Sequence, residues 1–339
     1  MSQDVCEPVR RITPRPAPPV ESTSCTVSVV ICTYADWRWA DLERSCTSVL
    51  TQLAPGDDLI IVVDHNDALL DRANRELRDV LVIANSDTRG LSGARNTGVR
   101  AAAGDVIAFL DDDASARAGW LAALRSEFGN GRVSVVGTAV QPRWEGGLPP
   151  RWFPPEFGWV VGCSYRGLPE SKTEIRNPIG ASMAIRRGVF DSAGMFSDRV
   201  GRLGTTPVGC EETEFCIRAA ATLPDSRIVF EPAAVVDHWV PAARQTLRYF
   251  ISRCYHEGRS KRFVTQLQGA NSGLSTERRY VRVVLPIGVL RGVAGGIRRP
   301  AELMRAGAIV LGLASTIAGF LAGAPRTSHV PVPGTRRPA

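Results

Sequence analysis

Four short apolar runs, Val27–Cys32, Leu59–Val63, Val80–Ala84 and Val106–Leu110, constrain this chain more than any other feature. Each is continuous and mostly rich in β-branched residues, the pattern of strands buried on both faces rather than on one. Between them, Trp37–Gln52 and Leu91–Ala103 carry apolar residues at helical spacing. Short strands alternating with helices predict an α/β fold built on a mostly parallel, doubly wound sheet. In such sheets ligands collect at the carboxyl ends of the strands. Three of the runs deliver polar residues there: Thr33-Tyr34, Asp64-His65-Asn66 and Asp111-Asp112-Asp113.

The aspartate triplet is the strongest chemical signal. Like charges gathered at a strand end need an opposing charge, and a divalent cation is the usual one. The plainer reading is a solvated turn, which Asp also favours. Three adjacent carboxylates cannot all reach one ion, because alternate residues of an extended chain project to opposite sides. Two nucleotide-binding classes are disfavoured. Thr33-Tyr34-Ala35-Asp36 stands where a glycine-rich dinucleotide fingerprint would follow the first strand, and no Walker A sequence occurs.

The net charge of +7 over 339 residues comes almost wholly from Arg, Lys172 and Lys261 being the only lysines. A basic balance suits anionic lipid, phosphate-bearing substrates or nucleic acid. No Arg-rich recognition helix or zinc-finger spacing is present, so nucleic acid is not expected as a partner. The eight cysteines form no CxxC pair, and no apolar leader opens the chain, which fits reduced thiols in the cytoplasm.

Composition divides the chain. Residues 1–25 are a Pro-rich tail, read as disordered; 26–265 are the main domain, with halves 26–130 and 131–265; 266–280 read as a linker. Residues 141–178, with many Pro, Gly and Trp and no clear period, suggest long substrate-shaping loops rather than a new core. Arg244–Arg262 reads as a basic amphipathic helix. Residues 281–325 hold two apolar stretches, and Ala306–Ala324 lacks any charge. That length is at the lower limit for a transmembrane helix, and the Gly and Ala content suits helix–helix packing. With Arg298, Arg299, Arg305 and Arg326 at its flanks, the pair is expected to associate with the cytoplasmic face of the cell membrane, either spanning or lying on it. The alternative is a pair of core helices. Residues 326–339 read as a second disordered tail.

Several segments together resemble family 2 glycosyltransferases of the GT-A nucleotide-sugar fold. They are Val27–Tyr34, Val62–Asn66, Gly90–Gly98 and Phe109–Asp113, then Pro178–Arg187, Gly194–Asp198 and Cys210–Phe215, in the family's order over roughly residues 27–262. Arg248–Lys261 also resembles prokaryotic members acting on lipid-linked or polyprenyl-phosphate-linked sugars. The resemblance implies a metal-dependent, inverting hexosyltransferase using a nucleotide-diphosphate sugar, expected to be a UDP-sugar, and Mn²⁺ or Mg²⁺. The acceptor would be a hydroxyl of a cell-envelope glycan or of a lipid-linked molecule. It implies Asp113 as direct metal ligand, His238 as a further metal or diphosphate contact, and Asp111 at the ribose or the metal's water shell. Asp112 would face the sugar or solvent. Asp64, with Asn66, would accept from the base, and Thr33 and Tyr34 would line its pocket. Arg95 and Asn96, near a helix start, would meet phosphate. Glu212 aligns with the family's catalytic base, where Asp is usual, and Glu211 beside it remains an alternative. Two other functions fit parts of the pattern: a nucleotidyltransferase, though its glycine-rich basic loop is missing, and a non-catalytic membrane-docked protein that binds nucleotide sugars.

Overall fold

The computed structural model describes residues 25–198, 209–268, 275–297 and 299–323. The expected tails lie outside these residues, apart from Cys25.

The first half builds the expected layered block. Strands β1 (Val27–Thr33), β2 (Asp58–Val63), β3 (Leu81–Ala84) and β4 (Val106–Asp111) run in parallel in the order β3-β2-β1-β4. Burial of β1 and β2 is nearly complete on both faces, as their unbroken apolar sequence requires. Helices α1 (Trp39–Leu50), α2 (Asp67–Glu76) and α3 (Leu91–Ala101) make the crossovers. α2 starts at Asn66, whose side chain accepts from the Leu69 N–H at 3.0 Å. α3 packs tightly on the sheet: a Cβ at Gly98 would sit 2.4 Å from the Val30 side chain.

The second half contributes more core than its loose sequence suggests. β6 (Val133–Trp144), β8 (Ser182–Arg186) and β9 (Arg227–Val240) continue the same sheet beyond β4. β8 lies antiparallel to both β4 and β6, whereas β6 and β9 are parallel. Short strands β5 (Ala114–Ala116) and β7 (Thr173–Glu174) pair antiparallel with β9. The sheet is therefore parallel in its first half and mixed in its second. α4 (Trp120–Phe128), α5 (Arg187–Ala193) and α6 (Glu211–Thr222) complete the domain. Loops do fill most of 145–181, around the 3₁₀ segment Pro155–Val161.

The C-terminal elements fold back onto the domain. α7 (Leu247–Gln268) is the expected basic helix, shifted by a few residues. Helix α8 (Ser275–Arg279) and a π-helical turn (Tyr280–Val284) occupy part of the stretch read as a linker. Glu277 explains the difference: it takes Arg176 at 2.8 Å and Lys261 at 2.6 Å, fixing this segment against the second half of the domain. α9 (Leu285–Gly296) and α10 (Pro300–Ala322) follow. α10 is the single helix among the described residues long and apolar enough to cross a membrane. One of its faces is nonetheless packed on the protein through small residues. A Cβ at Gly319 would lie 1.9 Å from the Tyr255 carbonyl, and one at Gly312 would lie 2.5 Å from the Phe157 ring. Gly258 of α7 approaches Thr316 in the same way. Gly319→Val is accordingly expected to lower stability by about 1–3 kcal/mol through overpacking, read as a fall in the midpoint of urea unfolding of the full chain.

Candidate active site

The aspartate triplet is divided by a turn. Asp111 ends β4, Asp112 and Asp113 form the turn, and β5 begins at Ala114. Antiparallel pairing sets Ala114 of β5 opposite His238 of β9, and the Trp239 N–H donates to the Asp113 carbonyl at 2.8 Å. Strand register thus carries His238 to Asp113, with Nε2 3.1 Å from Oδ1. Asp111, Asp113 and His238 each offer a ligand atom within 4.8 Å of the other two. Two carboxylates and one imidazole at this spacing fit a hard-to-borderline divalent cation, which answers the repulsion that the sequence poses. The His238 ring is held from behind as well. Cys163 Sγ lies 3.7 Å from its Nδ1, and Gly162, at φ +79°, leaves room where a Cβ would be 3.3 Å from Cε1.

Asp112, expected to face the sugar or solvent, faces neither. It is buried, accepting from Thr33 Oγ1 at 2.8 Å and from Arg38 at 2.5 Å. Thr33 is buried in the same contact, so its hydroxyl is committed to Asp112. Arg38 also approaches Asp113 at 3.3 Å, as does Arg244. Neither arginine stood out in sequence. Arg38 lies in a helical stretch where Arg reads as surface, yet it is buried, and Arg244 was visible only as the start of a basic helix.

These contacts sort the three carboxyls. Burial raises Asp111, and neighbouring Asp113 adds to it. Burial also lifts Asp112, to about 6, against the pull of Arg38. Asp113 is held well below the usual carboxylate range, because His238, Arg244 and Arg38 outweigh its burial. Burial disfavours the His238 imidazolium, but Asp113 and the Cys163 contact reverse this and raise it to about 10.

The facing wall is the start of α6. Cys210 holds φ +78°, and the chain turns there so that Glu211 and Glu212 open the helix. Glu211 is buried and spent on Arg95 at 3.1 Å. Arg95 is itself buried, donates to the Gly180 carbonyl at 2.8 Å and reaches Asp111 at 3.8 Å. Glu212 makes no ion pair among the described residues and lines the cleft. Burial, reinforced by Glu211, raises its carboxyl to about 8. Glu214 pairs with Arg218 one turn further along α6 at 2.8 Å. The cleft between these walls has a volume of about 860 Å³ and takes in Asp111, Asp113, His238, Glu212 and Arg95.

The remaining expected residues lie elsewhere. Asp64 sits past β2, accepting from the Gly90 N–H at 2.9 Å and from Asn85 at 2.7 Å. Asn66 caps α2 and donates to the Tyr34 carbonyl at 3.1 Å. Tyr34 is exposed beside them, so these three share the carboxyl edge of β1 and β2. Asn96 is not brought to that edge or to the cleft floor. It is buried and clamps the Phe196 backbone through both amide atoms at 2.9 Å.

Comparison with known proteins agrees with this geometry. The profile "Glycosyl transferase family 2" matches residues 28–194. A glucosyl-dolichyl phosphate glucuronosyltransferase of Haloferax volcanii is 35% identical over 245 residues, covering 71% of this chain and 78% of the relative. The succinoglycan biosynthesis protein ExoM of Rhizobium meliloti is 26% identical over 79% of this chain and 93% of the relative. Among solved structures, a mannosyltransferase of Pyrobaculum calidifontis in complex with GDP-Man and Mn²⁺ superposes with a TM-score of 0.58 at 15% identity, over 90% of each chain. The fold is that of GT-A glycosyltransferases, and the chain belongs to glycosyl transferase family 2. It is a glycosyltransferase.

Two outcomes follow from the charge arrangement. Arg38→Met should cost about 3–5 kcal/mol by stranding a buried carboxylate, and adding Asp112→Asn should recover part of that loss in the same unfolding measurement. A divalent cation held by the Asp111, Asp113 and His238 cluster would displace the His238 proton, so Mn²⁺ affinity should rise with pH below about 10. Titration calorimetry between pH 6 and 9 in buffers of different ionisation heat would register the released proton.

Proposed function

We propose that this protein is a metal-dependent, inverting glycosyltransferase that moves a sugar from a nucleotide-diphosphate donor to a hydroxyl of a lipid-linked or glycan acceptor. The observation carrying this reading is the convergence of Asp111, Asp113 and His238 on one side of a cleft that Glu212 lines from the other. The Mn²⁺ named with the Pyrobaculum structure supports a divalent ion, and Mn²⁺ or Mg²⁺ would be held by Asp113 and His238, with Asp111 beside them. Such an ion, when bound, neutralises charge building on the departing diphosphate. Arg38 and Arg244, already within 3.3 Å of Asp113, add fixed positive charge at that end.

Glu212 is proposed as the base. It takes the acceptor's proton as that oxygen attacks the anomeric carbon opposite the leaving group, which inverts the centre without a covalent intermediate. The ion pair of Glu211 with Arg95 favours Glu212 over Glu211 for this role. Arg95 then serves to position the pair from behind, while its Nη2, near Asp111, stays at the cleft wall. Tyr34, Asp64 and Asn66 at the β1–β2 edge are the proposed base-recognition group, with uracil the base that an acceptor such as Asp64 suits. The Haloferax relative's name, with a dolichyl phosphate substrate, supports a lipid-linked acceptor, and α10 supports a membrane-associated enzyme whose basic flanks face the cytoplasmic side.

A panel of UDP-, GDP- and dTDP-sugars with Mn²⁺ or Mg²⁺, assayed for nucleotide release with and without lipid extract, tests the reading. Release from none of them defeats it. Glu212→Gln should keep donor affinity and lose about 10²–10⁴-fold in transfer rate, and full activity would remove Glu212 as base. Since the base works deprotonated and its carboxyl sits at about 8, the turnover rate should climb from pH 6 to a plateau above about 8.

A further inference from the structure

Helix α10 meets the length and hydropathy of a membrane span, but its packing is incompatible with crossing one. Its inner face lies along α7, which carries Arg253, Glu257, Arg259, Lys261 and Arg262. The contact is continuous: Gly312 against Phe250, Gly258 against Thr316, Gly319 against Tyr255, and Arg262 over the Phe320 ring at 5.4 Å. Arg259 holds the end of the helix through the Gly323 carbonyl at 3.3 Å. A spanning α10 would carry these charged residues into hydrocarbon, where each is costly.

The outer face is a different surface. Leu303, Met304, Val310, Leu311, Ile317 and Leu321 are all exposed, from 37% to 78%. At 100° per residue they fall on one stripe that runs the length of the helix, filled in by the exposed small residues Gly307, Ala314 and Ala318, with no charge in it. Leu290 and Val293 of α9, the helix packed against α10, are exposed as well. Arg279, Arg282, Arg291 and Arg299 are exposed on the same C-terminal segment. Apolar stripe and basic rim together match an anionic bilayer surface better than another protein face, whose apolar core would be rimmed by mixed charge.

The cleft opens at this surface. Val281, Ile317 and Leu321 are exposed and also line the cleft that contains Glu212, and Arg279 and Arg282 line it too.

We propose that α9 and α10 form an in-plane docking face for an anionic membrane, with α10 parallel to the bilayer surface and the cleft mouth between the π-helical turn and α10 opening onto the lipid. The occupant is the bilayer itself. An amphiphilic acceptor reaches the cleft sideways, its hydrocarbon staying in the membrane, its phosphate at the Arg279–Arg282 rim and its hydroxyl directed toward Glu212. The acceptor part rests on the transferase reading, and the docking part does not.

Sedimentation of the full chain with phosphatidylglycerol–phosphatidylcholine vesicles tests docking. Binding is expected there, with at least tenfold weaker partition onto pure phosphatidylcholine. Leu303→Glu with Val310→Glu, both outside the cleft lining, should weaken it at least tenfold while leaving Mn²⁺-dependent binding of the donor sugar unchanged. The milder pair Met304→Gln and Val310→Gln, checked for an unchanged unfolding midpoint, guards against misfolding. Orientation is read by quenching from brominated lipids of a Trp placed at Leu303, Val310 or Ala318, taken as the increment over the unsubstituted chain. Equal, shallow quenching at all three supports the in-plane helix. Deep quenching at Val310 between shallower ends, or depth that changes steadily along the helix, overturns it. A chain that binds donor sugar but no vesicle also overturns docking while leaving the transferase reading intact, and vesicle binding without any donor binding does the reverse.

Discussion

The buried contact between Arg38 and Asp112, at 2.5 Å, is the constraint on which the site depends. Three carboxylates end one strand, and their mutual repulsion has to be distributed. Arg38 and Thr33 take the middle one into the interior. The turn that follows leaves Asp111 and Asp113 converging with His238. An Arg in this place serves both purposes: it satisfies Asp112 and still lies 3.3 Å from Asp113. A lysine, with one compact charge, lacks the fork that allows both contacts at once.

A second buried arginine joins the two halves. Arg95 rises from α3 in the first half and meets Glu211 of α6 and the Gly180 carbonyl in the second. Asn96, its neighbour, clamps Phe196 across the same boundary. Two residues of a helix in the first half therefore fix the wall on which Glu212 stands. Arg95, 3.8 Å from Asp111, also ties that wall to the side of the cleft that carries the Asp111, Asp113 and His238 cluster.

Legibility in the sequence followed the range of the interactions involved. The parallel block was readable because unbroken apolar runs report burial on both faces. Polar residues at its strand ends were readable for the same reason, since the sheet's geometry says where strands end. The mixed strands β6, β8 and β9 do not show as a regular series in sequence because a long loop region separates β6 from β8, α5 and α6 stand between β8 and β9, and their sheet partners lie far away along the chain. Asn96 reads as a phosphate contact because an amide near a helix start looks the same whether it clamps a loop or meets a ligand, and here it clamps Phe196. Residues 275–280 read as linker because a polar stretch cannot display the ion pairs, here with Arg176 and Lys261, that anchor it.

The sequence by itself determined the fold class, the family, the acidic strand end and the candidate pair Glu211–Glu212. Each of these is written in local pattern: hydrophobic period, turn chemistry and motif order. Only the tertiary structure decided which carboxylate is withdrawn, that Arg38 and Arg244 flank Asp113, and that Glu211 is spent on Arg95 while Glu212 is left at the cleft. It also decided that α10 has one face seated on α7 and one left open. These outcomes depend on contacts between residues distant along the chain, where strand register and the packing of buried charge settle which of several chemically similar side chains meets which partner.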